Sequence, residues 1–236
     1  MDTVDLLVFG PHPDDLELGL GGTIARHAAQ GHAVGLCDLT AGEMGSNGTP
    51  EGRLQEAEAA RAVLGAAWRV NLHWADRGIT GDRTQLQSGV ELIRRARPRA
   101  VAIPYWSDRH PDHVSASQVL TEVVFNSGLR KWDAAGEPWR PEWVCYYFIN
   151  DGATPSFVID VTEHYESKRR ALACYTSQFT PSGPRAVETR LTRKTFGQLI
   201  ESRDAQYGAL AGVTWAEGVI VREPQVRPHL FRSLDR

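Results

Sequence analysis

Two short clusters in the chain combine residue types that bind divalent metals and move protons. The first, HPDDLE, begins at His12, and the second, HPDH, begins at His110. In each cluster the first histidine is followed, at a spacing of three, by another metal-capable residue, Asp15 or His113. At a turn or in the first turn of a helix, this spacing brings both side chains to one side of the backbone. Each cluster can therefore offer two ligands.

The ligand types favour a catalytic metal site over a structural one. Imidazole nitrogens together with a carboxylate suit zinc, with another divalent metal such as Fe²⁺ as the alternative. The three cysteines, Cys37, Cys145 and Cys174, are far apart and form no CxxC pair, so we expect free thiols rather than a thiolate site. A catalytic site keeps one position open for water, so the four residues should not all bind the metal. Their spacing leaves open which one stands back.

The other two acids of the clusters have the positions of a base and an orienting group. Asp14 is adjacent to Asp15 and must point away from it, so it can lie beside the attacking water without binding the metal. Asp112 has the same relation to His113 and can accept a hydrogen bond from a neighbouring imidazole. Such a bond would orient that ring and raise its pKa, so that the ring stays cationic.

Alternating strands and helices should position both clusters at one edge of a sheet. Apolar runs predict buried parallel strands, and helical patterns fill the segments between them. The predicted strands span 4–9, 33–39, 70–72 and 100–103, and the predicted helices span 16–30, 50–64, 86–96 and 113–125. We predict an α/β fold in a single domain, 1–236, with a Rossmann-like, doubly wound, mostly parallel sheet sandwiched by helices. Ligands bind such sheets at the carboxyl edge, so both clusters should face one crevice.

The pattern is weaker after residue 128. It predicts strands at 143–149 and 157–161 and helices at 165–175 and 194–207. The charged run ESKRRA at 166–171 is interpreted as a solvated helix face. The glycines of GLGG at 19–22 begin well after the end of the first strand, and Ile24 occupies the position of a third fingerprint glycine. Close packing of the helix on the sheet is therefore expected there, not dinucleotide binding.

Composition limits the partners. The formal net charge is −3 and the pI is near 6.2, so a nucleic-acid or anionic-membrane partner is not expected. No apolar run approaches the roughly 18 residues of a membrane span, and the first residues lack the features of a secretory signal. We therefore predict a cytoplasmic enzyme that acts on a small polar substrate.

The sequences PHPDDLELGLGGTIA and DRHPDH resemble the two signatures of the LmbE-like, or PIG-L, family of zinc-dependent N-deacetylases. The resemblance continues through DLTAGEMGSNGTPEGRLQEA, ADRGI, FNSGLRKW, YTSQF and YGALAGVTWAEGV. It is strongest to the branch that deacetylates N-acetylglucosaminyl malate in bacillithiol biosynthesis. It also suggests a homo-oligomer and a small N-acetyl amino-sugar substrate.

Roles for individual residues follow from this resemblance. It implies that His12, Asp15 and His113 bind zinc, that Asp14 is first the base and then the acid, and that His110 stabilises the oxyanion. Asp112 would orient His110. Some relatives have a tyrosine two residues before the first histidine of the second motif, where this chain has Asp108, and Tyr105 is a weak substitute for that tyrosine.

Substrate contacts are assigned from loop position and resemblance. A malate-like carboxylate pair calls for a guanidinium partner, and Arg53 and Arg109 are the best positioned. Asn47 and Gln178 are predicted to bind sugar hydroxyls. The alternatives are an N-deacetylase of another N-acetylglucosamine-containing substrate or chitooligosaccharide and, in a different class, a non-catalytic metal- or nucleotide-binding module. The other histidines are interpreted as surface or satisfied core residues: His27, His32, His73, His164 and His229.

Overall fold

A computed structural model describes residues 2–226, and in it seven strands form one sheet. The strands are β1 (Leu6–Gly10), β2 (Val34–Thr40), β3 (Trp68–Trp74), β4 (Ala100–Pro104), β5 (Trp143–Tyr147), β6 (Phe157–Asp160) and β7 (Ala216–Ile220). The helices are α1 (Asp15–Ala29), α2 (Pro50–Leu64), α3 (Arg83–Ala96), α4 (Pro111–Ser127), α5 (Tyr165–Ala173), α6 (Thr176–Phe179) and α7 (Lys194–Ala211). No helix of the described residues is both long and apolar enough to cross a membrane.

The order of the strands is β3-β2-β1-β4-β5-β7-β6, and the first five are parallel. The direction of winding reverses between β1 and β4, which are neighbours, so their carboxyl ends open onto one crevice. The doubly wound, mostly parallel α/β prediction is confirmed. β7 pairs antiparallel with both β5 and β6 and extends the sheet at one side.

Side chains of β1 alternate between two hydrophobic layers, as the pleat of a fully buried strand requires. Leu6 and Val8 pack with apolar residues of α1, α2 and α5 on one face of the sheet. Leu7 and Phe9 pack with apolar residues of α3 and α4 on the other face. The two layers therefore hold β1, and the cluster that follows it, from both sides.

The glycines of α1 allow it to pack closely on its neighbours, as predicted. A Cβ atom on Gly19 would overlap the ring of Tyr147, and one on Gly22 would lie 2.7 Å from Val161. The helix is interrupted at Leu20, whose φ and ψ of −135° and 19° are not helical. Side chains larger than that of glycine at positions 19 and 22 would therefore overlap these neighbours.

In the last third of the described chain, one strand was missed and one prediction is wrong. β7 was not predicted, because Ala, Glu and Gly have low strand propensity and Glu217 is fully buried within it. The predicted solvated face at 166–171 is wrong at Lys168, which is 1% exposed. The Lys168 ammonium lies 2.6 Å from Asp204 Oδ2 and 2.7 Å from Glu217 Oε1, so burial is compensated by two carboxylates.

Candidate active site

The loops after β1 and β4 bring the two histidine–acid clusters together. The ring centroids of His12 and His110 are 4.9 Å apart, and those of His110 and His113 are 4.7 Å apart. The ring centroids of His12 and His113 are separated by 5.6 Å. These loops meet because their strands are adjacent and parallel, so residues about a hundred positions apart in the sequence form one site.

The Asp15 carboxylate lies between two imidazoles. Its Oδ2 atom is 3.1 Å from His12 Nδ1 and 3.3 Å from His113 Nε2. A second grouping also converges, because one nitrogen from each of His12, His110 and His113 lies within 4.8 Å of the others. This set of imidazole and carboxylate donors fits a divalent cation of the zinc type. His12 also converges with Asp76 and Asp112 in a third set. The residues could therefore hold a metal, and His12 belongs to every set.

The ring nitrogens on the far side of His12 and His113 also face carboxylates. His12 Nε2 lies 3.3 Å from Asp76 Oδ1 and 3.4 Å from Asp112 Oδ2. His113 Nδ1 lies 3.1 Å from Asp108 Oδ1. Metal-binding histidines commonly donate their second N–H to such a carboxylate, which fixes the ring and the tautomer. The surroundings of both rings are thus those of metal ligands.

Asp14 diverges from Asp15, as their adjacency predicts. Its φ of 111° is in a left-handed region that costs a non-glycine residue on the order of 1–3 kcal/mol. Its Oδ2 atom accepts a hydrogen bond of 3.1 Å from Arg53 Nη2, and both side chains are buried. A strained, buried carboxylate beside the candidate metal ligands has the position of a general base.

In the polypeptide without a bound metal ion, burial and neighbouring charges shift the pKa values of the site residues. Burial, offset in part by Arg53, raises the pKa of Asp14 to about 7. Although burial alone would lower it, the carboxylates of Asp15 and Asp108 raise the pKa of His113 to about 9. Burial likewise opposes the shift of Asp15, but the imidazoles of His113 and His12 hold its pKa well below the ordinary range. A bound cation would compete with protons on the ligand imidazoles.

The predicted pairing of Asp112 with His110 is not what the structure contains. The Asp112 carboxylate accepts hydrogen bonds from Arg77, at 2.8 Å from the backbone N and 2.6 Å from Nη1. Arg77 has a left-handed φ of 62°, and both its backbone N–H and its guanidinium face Asp112. His110 caps α4, and its Nδ1 accepts the backbone N–H of Asp112 at 3.2 Å.

In the polypeptide without a bound metal, the pKa of His110 shifts in the direction opposite to the expected rise. Burial and the neighbouring His113 and His12 rings lower the pKa of His110. Because Nδ1 accepts the cap hydrogen bond, the proton of the neutral His110 ring lies on Nε2. His110 is thus a neutral donor oriented by a backbone group.

A cleft of about 300 Å³ opens over these residues and contains some of the predicted substrate contacts. Arg109 and Gln178 line it, and so does Arg53, although its guanidinium is bound to Asp14 and to the carbonyl oxygens of Gly42 and Pro13. Of these predicted contacts, Arg109 is the cation that remains exposed to the cleft.

Two predicted side chains lie elsewhere. Asn47 uses both ends of its amide on the backbone of Val187, at 2.8 and 2.9 Å, and is not among the described residues that line the cleft. Tyr105 packs against the rings of Trp106 and Phe148 and is likewise not part of the cleft lining. The structure therefore does not bring either residue to the cleft.

Several cleft residues were not predicted. Asp76 and Arg77 follow β3, the third parallel strand whose carboxyl end reaches this edge, and belong to the quoted ADRGI segment. Asn150 follows β5. Apolar and small residues complete the wall: Leu18, Met44, Gly45, Ser46, Thr189, Leu191 and Phe196. The edge position of ADRGI was a usable signal, but nothing in the sequence marked Asn150.

The remaining histidines are separate from the cleft lining among the described residues: His27, His32, His73 and His164. His229 lies outside the described residues.

Comparison with known proteins agrees with this geometry. The model of the PIG-L family, described as GlcNAc-PI de-N-acetylase, matches residues 7–124, a segment that contains both clusters. A diacetylchitobiose deacetylase of Thermococcus kodakarensis is 29% identical over 233 residues, which cover 92% of this chain and 83% of that protein. A 1D-myo-inositol 2-acetamido-2-deoxy-alpha-D-glucopyranoside deacetylase of Rhodococcus jostii is 30% identical, with 75% of this chain and 83% of the relative covered.

A solved structure covers the chain more completely. A conserved protein from Thermus thermophilus superposes with a TM-score of 0.87 at 38% identity, covering 98% of this chain and 100% of that one. Half of the present chain, with both metal-capable clusters, matches the family model. The chain therefore belongs to the PIG-L, GlcNAc-PI de-N-acetylase, family.

Proposed function

We propose that this protein is a zinc-dependent N-deacetylase that removes the acetyl group from N-acetylglucosaminyl malate in bacillithiol biosynthesis. The observation that carries deacetylation is Asp14, a buried carboxylate in a strained backbone conformation beside three converging ligands, His12, Asp15 and His113. Pure metal or nucleotide binding does not need a base at that position, which argues against the binding-module alternative.

His12, Asp15 and His113 would bind the metal, and His110 would not be a ligand. When bound, a divalent cation would lower the pKa of water to about 7 and polarise the acetyl carbonyl. His110 is the residue left over, because its Nδ1 is used in capping α4, whereas His12 and His113 each have a carboxylate behind the ring. Asp15 supplies the single carboxylate of the set.

Asp14 would carry the proton through the reaction. It takes a proton from the attacking water and later gives it to the departing amine, so that acetate and a free amino sugar are released. A carboxyl with a pKa of about 7 can do both near neutral pH, because the ideal pKa of an acid–base catalyst is close to the working pH. Arg53 keeps enough of the carboxylate ionised for the first of these steps.

His110 would stabilise the oxyanion as a neutral hydrogen-bond donor. Its Nε2–H is the free donor of the ring, and the ring lines the cleft. Removal of one such donor typically lowers the rate by roughly 10²- to 10³-fold.

The malate conjugate is favoured by the charges at the cleft. Arg109 is exposed and lines the cleft, and Arg77 lines it with a half-exposed side chain whose Nη1 is paired with Asp112. Such cations suit an aglycone with two carboxylates better than an uncharged sugar. The alternative substrates are chitooligosaccharides and other N-acetylglucosamine conjugates, in keeping with the names of the two relatives.

The test is acetate release by zinc-loaded protein from three substrates in parallel: N-acetylglucosaminyl malate, N,N′-diacetylchitobiose and free N-acetylglucosamine. We expect release that a chelator abolishes and that strongly favours the malate conjugate. Arg109→Gln should reduce this preference, mainly through KM, because the guanidinium contacts the aglycone and not the acetyl group. Similar rates with all three substrates would contradict the malate assignment but still support deacetylase activity. No release from any of them would contradict both.

A further inference from the structure

His113 is held through both of its ring nitrogens. Nε2 lies 3.3 Å from Asp15 Oδ2, on the side of the candidate metal, and Nδ1 lies 3.1 Å from Asp108 Oδ1, on the opposite side. The side chains of His113 and Asp108 are each 3% exposed, so water does not compete for this contact. A neutral imidazole carries one N–H, and the position of that hydrogen decides which nitrogen can bind a metal.

Asp108 is itself fixed by donors from two loops. Its Oδ1 atom accepts the backbone N–H of His110 at 2.8 Å and the Asn150 side-chain amide at 3.0 Å. Its Oδ2 atom accepts the backbone N–H of Asn150 at 3.0 Å. Both carboxylate oxygens thus act as acceptors in a fixed orientation, and Asp108 offers an acceptor, not a donor, to His113. His113 Nδ1 lies 3.1 Å from Asp108 Oδ1 and 3.4 Å from Asn150 Nδ2. Because the Asn150 amide donates to Asp108 at the shorter distance of 3.0 Å, the geometry favours donation from His113 Nδ1–H to Asp108.

We propose that Asp108 is a positioning residue that selects the Nδ1–H tautomer of His113 and thereby directs its Nε2 lone pair to the metal. The same carboxylate connects this ligand to Asn150, which lines the substrate cleft. The inference rests on the proposed function, because it requires that His113 bind a metal. It gives Asp108 a role in the site, at the position where some relatives have a tyrosine.

A purely structural role is the competing explanation. In that case Asp108 would only join the loop after β4 to the loop after β5, through its three hydrogen bonds to His110 and Asn150. Its removal would then lower the stability of the fold without changing the intrinsic affinity for the metal. Metal affinity and the tautomer of His113 separate the two explanations, and neither measurement depends on the substrate.

The first measurement is zinc affinity, by competition with a chromophoric chelator, for wild type, Asp108→Asn and Asp82→Asn. Asp82 is a matched control, because it also accepts two backbone N–H groups, at 2.9 and 3.0 Å, but caps α3 and does not line the cleft. We expect Asp108→Asn to bind zinc about 10- to 100-fold more weakly than wild type, the usual effect of losing such a partner. Asp82→Asn should bind as wild type does, since asparagine is an equally good cap.

The second measurement needs no variant of Asp108. In zinc-loaded, ¹⁵N-histidine-labelled wild type, we expect His113 to show a protonated Nδ1 and a metal-bound Nε2, identified by the loss of that signal set in His113→Ala. A metal-bound Nδ1 would overturn the inference, and it does so even if Asp108→Asn fails to fold.

The outcomes separate this inference from the proposed function. Unchanged zinc affinity in folded Asp108→Asn would overturn the positioning role, while acetate release by wild type would still support the deacetylase. Wild type that binds no zinc would overturn both the metal assignment and this inference. Weaker binding in Asp108→Asn together with the Nδ1–H tautomer supports the role of Asp108, whichever acetylated substrate proves to be the right one.

Discussion

Arg53 Nη2 lies 3.1 Å from Asp14 Oδ2, and this buried ion pair joins α2 to the N-terminal end of α1. Burial favours the neutral form of the Asp14 carboxyl, whereas the positive charge of Arg53 favours the ionised form. In the proposed mechanism, Asp14 needs to be ionised to accept a proton from water. Arg53 therefore influences the pH at which the base is competent, in addition to any contact with substrate.

Replacing Arg53 with methionine should move the acid limb of the profile of kcat/KM against pH to higher pH. Without the guanidinium the pKa of Asp14 should rise. A smaller fraction of Asp14 is then ionised at each pH below the new pKa. A rise of one unit would lower activity at pH 6 by about tenfold and at pH 9 far less. Arg53→Lys, which keeps the charge, should show a smaller displacement.

Arg61→Lys and Arg61→Met on the same helix are the controls, because Arg61 pairs with the exposed Glu58. Circular dichroism should accompany the assays, since breaking a buried pair costs about 3–5 kcal/mol. An acid limb at the wild-type pH in folded Arg53→Met would show that Arg53 does not tune the base.

Asp14→Asn should keep its zinc and lose turnover by about 10²- to 10⁴-fold, the usual contribution of a positioned acid–base group. Asparagine tolerates the left-handed backbone at this position and can still accept the hydrogen bond from Arg53, so the fold should persist. Zinc content by atomic absorption and kcat for acetate release are the two measurements. A variant with the wild-type rate would remove Asp14 from the mechanism.

The two groupings of candidate ligands predict different metal contents in histidine variants. If His12, Asp15 and His113 bind the metal, His113→Ala should lose zinc, whereas His110→Ala should keep it and lose roughly 10²- to 10³-fold in rate. His32→Ala, at an exposed position on the surface, is the control for removal of an imidazole. Full zinc occupancy in His113→Ala, or zinc loss in His110→Ala, would overturn this ligand assignment.

The sequence predicted the meeting of the two clusters because that relation depends on topology alone. Buried apolar runs and helical patterns predict parallel strands, and parallel strands align their carboxyl ends whatever the intervening side chains are. Adjacency in the chain was enough to predict that Asp14 and Asp15 diverge. These inferences need only local geometry and strand order.

Hydrogen-bond partners that are distant in the sequence could not be predicted in this way. The Asp112 carboxylate binds the backbone N–H and the guanidinium of Arg77 rather than His110, and Arg77 has a left-handed backbone conformation in the loop after β3. Nothing in the sequence around Arg77 marks that backbone conformation. Asn150 reaches the site through hydrogen bonds to Asp108, 42 positions earlier, and such a pairing depends on the packed structure.

Glu217 in β7 is another residue whose surroundings could not be predicted from the sequence. This strand residue accepts hydrogen bonds from the backbone N–H groups of Gly22 and Thr23, at 3.0 and 2.7 Å, where α1 resumes after its interruption at Leu20. Its charge is balanced by Lys168, which also binds Asp204. A buried glutamate in a strand contradicts local propensity and is explained only by these distant partners.

Lys168→Met should therefore destabilise the protein strongly, even though it replaces a charge with an apolar side chain in a helix. The variant leaves the carboxylates of Asp204 and Glu217 buried without their shared cation, a change that typically costs about 3–5 kcal/mol. Urea denaturation of metal-free protein measures it as a lower midpoint. Arg170→Met, at an exposed position two residues along the same helix, should change the free energy of unfolding by less than about 0.5 kcal/mol. Equal midpoints for the two variants would mean that the carboxylates are neutral or hydrated in the folded protein, and that Lys168 does not stabilise the connection between α1 and β7.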